Sequence, residues 1–153
     1  MKKAKKLIRI VILEDSEFFN EMLMRQLKRF THTLALHKDC EFDIESYVSY
    51  ADCLRNLKEN TDVVFVDYYL GNGITAIDVL RNIRRKCVNC KVIVISHARN
   101  IRTSAITLLE GASEFLFKDA QVFPRSCLIL EDIVNNKLRG GDNLQDHALP
   151  SYN

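Results

Sequence analysis

The segment DVVFVD, residues 62–67, holds four consecutive apolar residues between two aspartates. Runs that are apolar at every position are typical of strands buried on both faces of a parallel sheet. A second run, KVIVIS at residues 91–96, repeats this pattern. Residues 74–86, between the two runs, have the periodicity of an amphipathic helix. Strand, helix and strand in this order indicate a parallel βαβ unit.

The same alternation extends outward from this unit in both directions. The sequence predicts further strands at residues 7–13, 44–49 and 114–117. It predicts further helices at residues 18–30 or as far as 36, at 50–60, at 102–110 and at 126–138. Ser16 is placed to cap the first helix, and Gly111 to follow the end of the fourth. Five strands and five helices in alternation predict an α/β, flavodoxin-like, doubly wound parallel sheet in the order 2-1-3-4-5.

Composition bounds the class of protein. The chain has 153 residues, of which 47% are hydrophobic and 27% charged, as in an ordinary single globular domain. Its 22 basic and 20 acidic residues give no overall attraction to nucleic acid, and no apolar run approaches the length of a membrane span. We expect a basic leader at residues 1–6 that is not a signal peptide, a domain at 7–138, a polar flexible tail at 139–153, and a cytoplasmic location.

The cysteines show no sign of metal or disulfide chemistry. There are five, an odd number, and no secretion signal precedes them, which favours reduced thiols. Cys87 and Cys90 form a C-x-x-C pair, but no second pair completes a structural zinc site. We therefore expect them to serve as small packing residues near a turn.

Polar residues follow four of the five predicted strands. They are Glu14 and Asp15 after the first, Asp67 at the end of the third, Ser96 at the end of the fourth and Lys118 after the fifth. Ligands of open parallel sheets bind at the carboxyl ends of the strands, so these side chains are expected to share one pocket.

That set of side chains has a specific chemistry. Two carboxylates about 4 Å apart repel by roughly 4 kcal/mol at an effective dielectric constant of 20, so three together favour a bound cation. Mg²⁺ suits the set because it takes few carboxylates and keeps waters that a phosphate oxygen can replace. An ammonium from Lys118 and a hydroxyl from Ser96 complete a receptor for a phosphoryl group, with Asp67 as the nucleophile.

From about residue 7 to residue 138 the sequence resembles the receiver domains of two-component response regulators. The motifs that carry the resemblance are Glu14-Asp15, VFVDYYLGNG with Asp67, VIVISHA with Ser96, and GASEFLFKD with Lys118. The resemblance implies signal transduction in which Asp67 accepts a phosphoryl group from the phosphohistidine of a sensor histidine kinase or phosphotransfer protein, as in a phosphorelay. The few residues after residue 138 are typical of a single-domain regulator of the chemotaxis type, and a longer natural chain with an effector domain stays an alternative.

The resemblance also implies a role for each site residue. Mg²⁺ would be held by Glu14, Asp15, Asp67 and the backbone carbonyl of Tyr69. Lys118 would pair with the phosphoryl group of the aspartyl phosphate. Ser96 would move towards that group, and the aromatic ring of Phe115 would turn inward in response.

The resemblance implies partners as well. The fourth helix, fifth strand and fifth helix would then present an altered face to a downstream protein, and a homodimer stays open. The chain would be a signalling module that catalyses its own phosphotransfer and dephosphorylation, not an enzyme, with no cofactor besides Mg²⁺ and with neither nucleic acid nor membrane as a partner.

Several residues depart from the family pattern. Gly71 and Asp119 stand where proline is common, and Phe115 replaces a commoner tyrosine. His97 stands where a small residue is usual, and with Tyr69 it could crowd the pocket.

Three alternatives to a phosphorylated receiver remain. The first is an interaction module of the same fold that no longer depends on phosphorylation. The second is a phosphatase with an aspartyl nucleophile, disfavoured because Tyr69 stands where the second, acid/base aspartate is expected. The third is a mononucleotide or flavin binder, disfavoured because no glycine-rich loop follows the first strand.

Overall fold

The computed structural model describes residues 4–140. Its strands are β1 (Lys6–Leu13), β2 (Cys40–Tyr47), β3 (Val63–Asp67), β4 (Lys91–Ser96) and β5 (Glu114–Phe117). Its helices are α1 (Glu17–His37), α2 (Tyr50–Asn56), α3 (Ala76–Lys86), α4 (Ile101–Leu109) and α5 (Val122–Arg139). Half of the predicted basic leader and nearly all of the predicted tail lie outside the described residues.

The five strands form one parallel sheet in the order β2-β1-β3-β4-β5. The fold class predicted from the sequence is therefore confirmed. Every residue of β3 is buried, and every residue of β4 except Lys91. This is the burial that strands in the middle of a sheet covered on both faces require.

Three element bounds differ from the prediction by about four residues, and others by one or two. β2 begins at Cys40, not at residue 44, because all eight of its residues pair with β1, and its alternating acidic side chains conceal that strand in the sequence. α2 ends at Asn56, not at residue 60. α5 begins at Val122, not at residue 126, and so includes Pro124. A proline is tolerated in the first turn of a helix, where the backbone N–H would have no partner within the helix.

Two apolar layers hold the sheet between the helices. Val64 and Val66 of β3 pack on one face, in the layer that contains Leu80 of α3. Phe65 packs on the other face, in the layer that contains Leu130 of α5. Successive side chains of β3 point into opposite layers. Both faces of this strand are therefore buried, which is why its residues are apolar at consecutive positions.

The helix ends follow local rules. The Ser16 hydroxyl accepts a hydrogen bond from the backbone N–H of Phe19 at 3.3 Å, which caps α1 as predicted. Gly111, just past α4, has a φ of +111°, which favours glycine over residues with a side chain. Within residues 4–140, no helix combines the length and apolarity that crossing a membrane requires.

The C-x-x-C pair lies in the core. Cys87 and Cys90 are both buried as free thiols in the layer that contains α3. Burial raises the pKa of the Cys90 thiol to about 12, so the thiol is protonated at neutral pH. This environment suits a packing role for the pair.

Two leucines of α5 provide a test of this packing. Leu130→Ala should lower the free energy of unfolding by about 2–5 kcal/mol, because it leaves a cavity against Phe65 in a fully buried layer. Leu128 lies two residues away and is 62% exposed, so Leu128→Ala should change stability by no more than about 0.5 kcal/mol. Urea denaturation of both variants measures the difference, and equal losses would contradict the layer assignment.

Candidate functional site

The carboxyl ends of β1, β3 and β5 bring a lysine between two acids. The Lys118 ammonium lies 3.1 Å from Oε2 of Glu14 and 3.4 Å from Oδ1 of Asp67. The three side chains are only 4%, 3% and 8% exposed respectively. Because these residues follow separate strands of a parallel sheet, the strand order alone is enough to bring them together.

A third carboxylate completes an acidic cluster. Glu14, Asp15 and Asp67 each offer an oxygen, and these oxygens lie within 4.8 Å of one another. Asp15 is the exposed member, whereas the other two are buried. Several carboxylate oxygens open to solvent on one side are the donor set that Mg²⁺ or Ca²⁺ takes. The residues present therefore fit a hard divalent cation.

A loop after β3 forms one wall of this cluster. Gly71 has a φ of +79°, and a Cβ at this position would stand 3.9 Å from Oδ2 of Asp15. Proline, with its φ held near −65°, cannot adopt that backbone conformation. The proline that the family pattern favours at position 71 is therefore excluded here, because the loop is left-handed at this residue.

The electrostatics of the cluster are unbalanced. Burial, reinforced by repulsion from Glu14, raises the pKa of Asp67 from 3.8 to about 7, although Lys118 opposes the rise. Burial also raises the pKa of Glu14, again against the attraction of Lys118. One ammonium is insufficient for two buried carboxylates and a third beside them, so further positive charge would be bound favourably.

Ser96 and Phe115 lie on β4 and β5, the two strands that follow β3 in the sheet. Ser96 is fully buried one residue past Ile95, which is the partner of Asp67 in the β3–β4 register. Its hydroxyl accepts a hydrogen bond from the backbone N–H of Ala98 at 3.1 Å. Phe115 is partly buried in the layer that contains α3, with its ring 6.3 Å from that of Tyr68.

Tyr69 and His97 are surface residues. The Tyr69 side chain is 54% exposed, and its backbone bridges to Thr75 across the turn that contains Gly71. His97 is exposed directly after Ser96. The metal-ligand role of the Tyr69 carbonyl and the effect of these two side chains on the pocket stay predictions.

One residue that holds the site together was not identified from the sequence. The Asn20 side chain is buried on α1 and donates hydrogen bonds to the backbone carbonyls of Glu14 and Tyr47, both at 3.1 Å. It thereby fixes the ends of β1 and β2 beneath the acidic cluster. The sequence contains one indication of this role. Asn20 is a polar residue on the apolar face of an amphipathic helix, where a buried amide needs hydrogen-bond partners.

Comparisons with known proteins agree with this geometry. The model of the response regulator receiver domain family matches residues 10–123. The chain is similar to a response regulator receiver domain protein from Clostridium thermocellum, with 19% identity over 86% of this chain and 98% of that one and a TM-score of 0.70. It is similar to the receiver domain of the Francisella response regulator 1452, with 14% identity, coverages of 85% and 98%, and a TM-score of 0.68.

A third similar structure is a response regulator from Burkholderia pseudomallei, with 19% identity, coverages of 91% and 75%, and a TM-score of 0.64. No curated protein matches the chain. The family match covers most of the chain, so the chain belongs to the response regulator receiver domain family. Receiver domains are signalling modules of two-component systems, which interact with histidine kinases or phosphotransfer proteins.

The raised pKa of Asp67 predicts a pH-dependent effect of its removal. Because the folded chain binds this proton more tightly than the unfolded chain, the carboxyl group lowers stability increasingly as pH rises from about 4 to about 7. In metal-free buffer, Asp67→Asn should therefore stabilise the fold at pH 8 by about 1–3 kcal/mol, and by much less at pH 5.

Denaturation at the two pH values measures this effect. Asp132→Asn, which removes an exposed carboxylate of α5, is the matched control and should change stability by no more than about 0.5 kcal/mol at either pH. An Asp67→Asn variant less stable than the wild type at pH 8 would show that the pairing with Lys118 outweighs the repulsion.

Proposed function

We propose that this receiver accepts a phosphoryl group on Asp67 from the phosphohistidine of a sensor histidine kinase or phosphotransfer protein. The observation that carries the proposal is the buried arrangement of Asp67 and Lys118, 3.4 Å apart, beside two further carboxylates. The crystal structure of the similar Burkholderia pseudomallei response regulator contains a phosphorylated aspartic acid and a calcium ion, which supports the proposal.

In the proposed reaction, a carboxylate oxygen of Asp67 attacks the phosphorus atom of the donor. An oxygen–phosphorus bond forms as the phosphorus–nitrogen bond of phosphohistidine breaks, and the electron pair of that bond leaves with the imidazole. The attacking carboxylate has to be ionised. Its raised pKa therefore makes additional positive charge at the site a condition of efficient transfer.

Glu14, Asp15 and Asp67 would hold a Mg²⁺ ion, with the Tyr69 carbonyl as a further ligand. When bound, the ion supplies positive charge that neutralises the carboxylates and the incoming phosphoryl oxygens. Lys118 faces Asp67 from the end of β5 and would pair with a phosphoryl oxygen. Ser96 would turn its hydroxyl from the Ala98 N–H to donate a hydrogen bond to the phosphoryl group.

The output surface is proposed to include α4, β5 and α5. In α4 the usual orientation of an amphipathic helix is reversed, since Thr107 is fully buried while Ile101 and Leu109 are 85% and 87% exposed. Exposed apolar side chains on one short helix favour contact with another protein. A downstream partner, or a second copy of the chain, would cover this surface, and phosphorylation would change its affinity through Ser96 and Phe115.

A receiver-fold interaction module that works without phosphorylation is the second candidate. It is favoured by the same helix, because an exposed apolar surface can bind a partner without a preceding chemical change at Asp67. Partner binding that is unchanged by Asp67→Ala would support it over the first proposal.

The bounds and location of the domain are also proposals. The described elements run from Lys6 to Arg139, which supports residues 7–138 as the receiver domain. A receiver of this kind would act in the cytoplasm, as a signalling module without an enzymatic substrate of its own.

Incubation with acetyl phosphate and Mg²⁺ tests the phosphorylation. Intact-mass spectrometry should show the addition of one phosphoryl group to the wild type and none to Asp67→Asn. Chelation of the divalent ions should abolish the addition, since only Lys118 would then offset the acidic cluster. Asp132→Asn should be phosphorylated as the wild type is. A wild type that stays unmodified at high donor and Mg²⁺ concentrations would contradict the proposal.

Hydrogen exchange tests the switch. Phosphorylation of Asp67 should change the amide exchange of residues 101–117, which include α4 and β5, while α2, which lies beside β2 at the opposite edge of the sheet, should exchange as before. Ser96→Ala should reduce the change in residues 101–117, because its hydroxyl can no longer bond the phosphoryl group. Unchanged exchange throughout in a fully phosphorylated sample would exclude α4 and β5 as the switched elements.

A further inference from the structure

The Lys118 ammonium has a third neighbour besides its two carboxylates. Its Nζ atom lies over the ring of Phe19, 4.4 Å from the ring centroid. The side chain of Lys118 is only 4% exposed, so little water competes for the ammonium. A cation over the face of an aromatic ring is attracted by the ring quadrupole, most strongly where water is excluded.

Phe19 is held in place from two sides. Its backbone N–H donates to the Ser16 hydroxyl in the first turn of α1. Its ring stacks on that of Phe123 in the first turn of α5, with centroids 5.6 Å apart and an interplanar angle of 23°. The ring face under the ammonium is therefore fixed by the starts of two helices.

We propose that Phe19 is a positioning residue that keeps the Lys118 ammonium directed at Asp67 during phosphoryl transfer. The two ionic partners of Lys118 change in the proposed reaction, because one oxygen of Asp67 becomes part of an acyl phosphate and Glu14 belongs to the acidic cluster that would hold the metal. The ring of Phe19 has no such change of charge. It is the partner that attracts the ammonium equally before and after transfer.

The kinetic part of this inference rests on the proposed function, whereas the contact itself does not. Phe19→Leu retains apolar bulk but removes the ring, and it should slow phosphorylation by acetyl phosphate about tenfold. Phe19→Tyr and Phe19→Trp keep an aromatic face and should stay within about threefold of the wild type. Phe18→Leu is the matched control, because it makes the same substitution one residue away at a side chain that is 74% exposed, and it should leave the rate unchanged.

NMR of the chain without a phosphodonor tests the contact separately. The ring current of Phe19 should shift the side-chain Hε signal of Lys118 upfield, and Phe19→Leu should remove this shift while Phe18→Leu keeps it. Site-specific incorporation of increasingly fluorinated phenylalanines at position 19 weakens the ring quadrupole at nearly constant shape. The phosphorylation rate should fall stepwise along that series, which a purely structural role of Phe19 would not cause.

The outcomes separate this inference from the proposed function. Equal slowing by Phe19→Leu and Phe18→Leu, or a rate independent of fluorination, would overturn the positioning role. If Phe19→Leu does not fold, the fluorinated series still decides the question. A wild type that is never phosphorylated would overturn the proposed function and with it the kinetic role, while a Lys118 signal unchanged by Phe19→Leu would overturn the contact.

Discussion

The burial of a single ammonium group organises the functional end of this molecule. A lysine that is only 4% exposed would destabilise the fold unless carboxylates lay close to its ammonium group. The Lys118 ammonium lies 3.1 Å from a carboxylate oxygen of Glu14 and 3.4 Å from one of Asp67. Glu14 directly follows β1, Asp67 is the last residue of β3, and Lys118 directly follows β5. The charge pairing therefore requires the ends of three non-adjacent chain segments to be aligned, and a parallel sheet is what aligns them.

The same pairing leaves the site short of positive charge. One ammonium faces two buried carboxylates and an exposed third, and burial together with repulsion from Glu14 raises the pKa of Asp67 to about 7. A site of this kind is less stable empty than with a cation or a proton bound. A metal ion bound together with a phosphoryl donor would reduce the repulsion among these carboxylates. The excess of negative charge that destabilises the site is thus also the feature that the proposed activity uses.

The helices differ in how much apolar side-chain surface they bury against the sheet. α1, α3 and α5 bury leucine, isoleucine and valine side chains against the sheet, whereas α4 buries Thr107 and exposes Ile101 and Leu109. A helix that contributes little apolar surface to the core is weakly held and can shift at small energetic cost. α4 directly follows the loop after Ser96, so a residue of the proposed switch is joined by a short loop to a helix that contributes little apolar surface to the core.

The sequence by itself determined the alternation of strands and helices and the set of polar residues at the strand ends, whereas the sheet order was expected only from the match to a known fold and is established by the strand pairing. Apolar runs such as VVFV and VIVI carry this information locally, because burial on both faces leaves no alternative pattern. The tertiary structure alone decided the early start of β2, whose acidic residues pair with β1 through backbone groups that have no side-chain signature. It also decided the contact of Phe19 with Lys118 and the hydrogen bonds of Asn20, because contacts made by helix side chains depend on how the helices pack on the sheet.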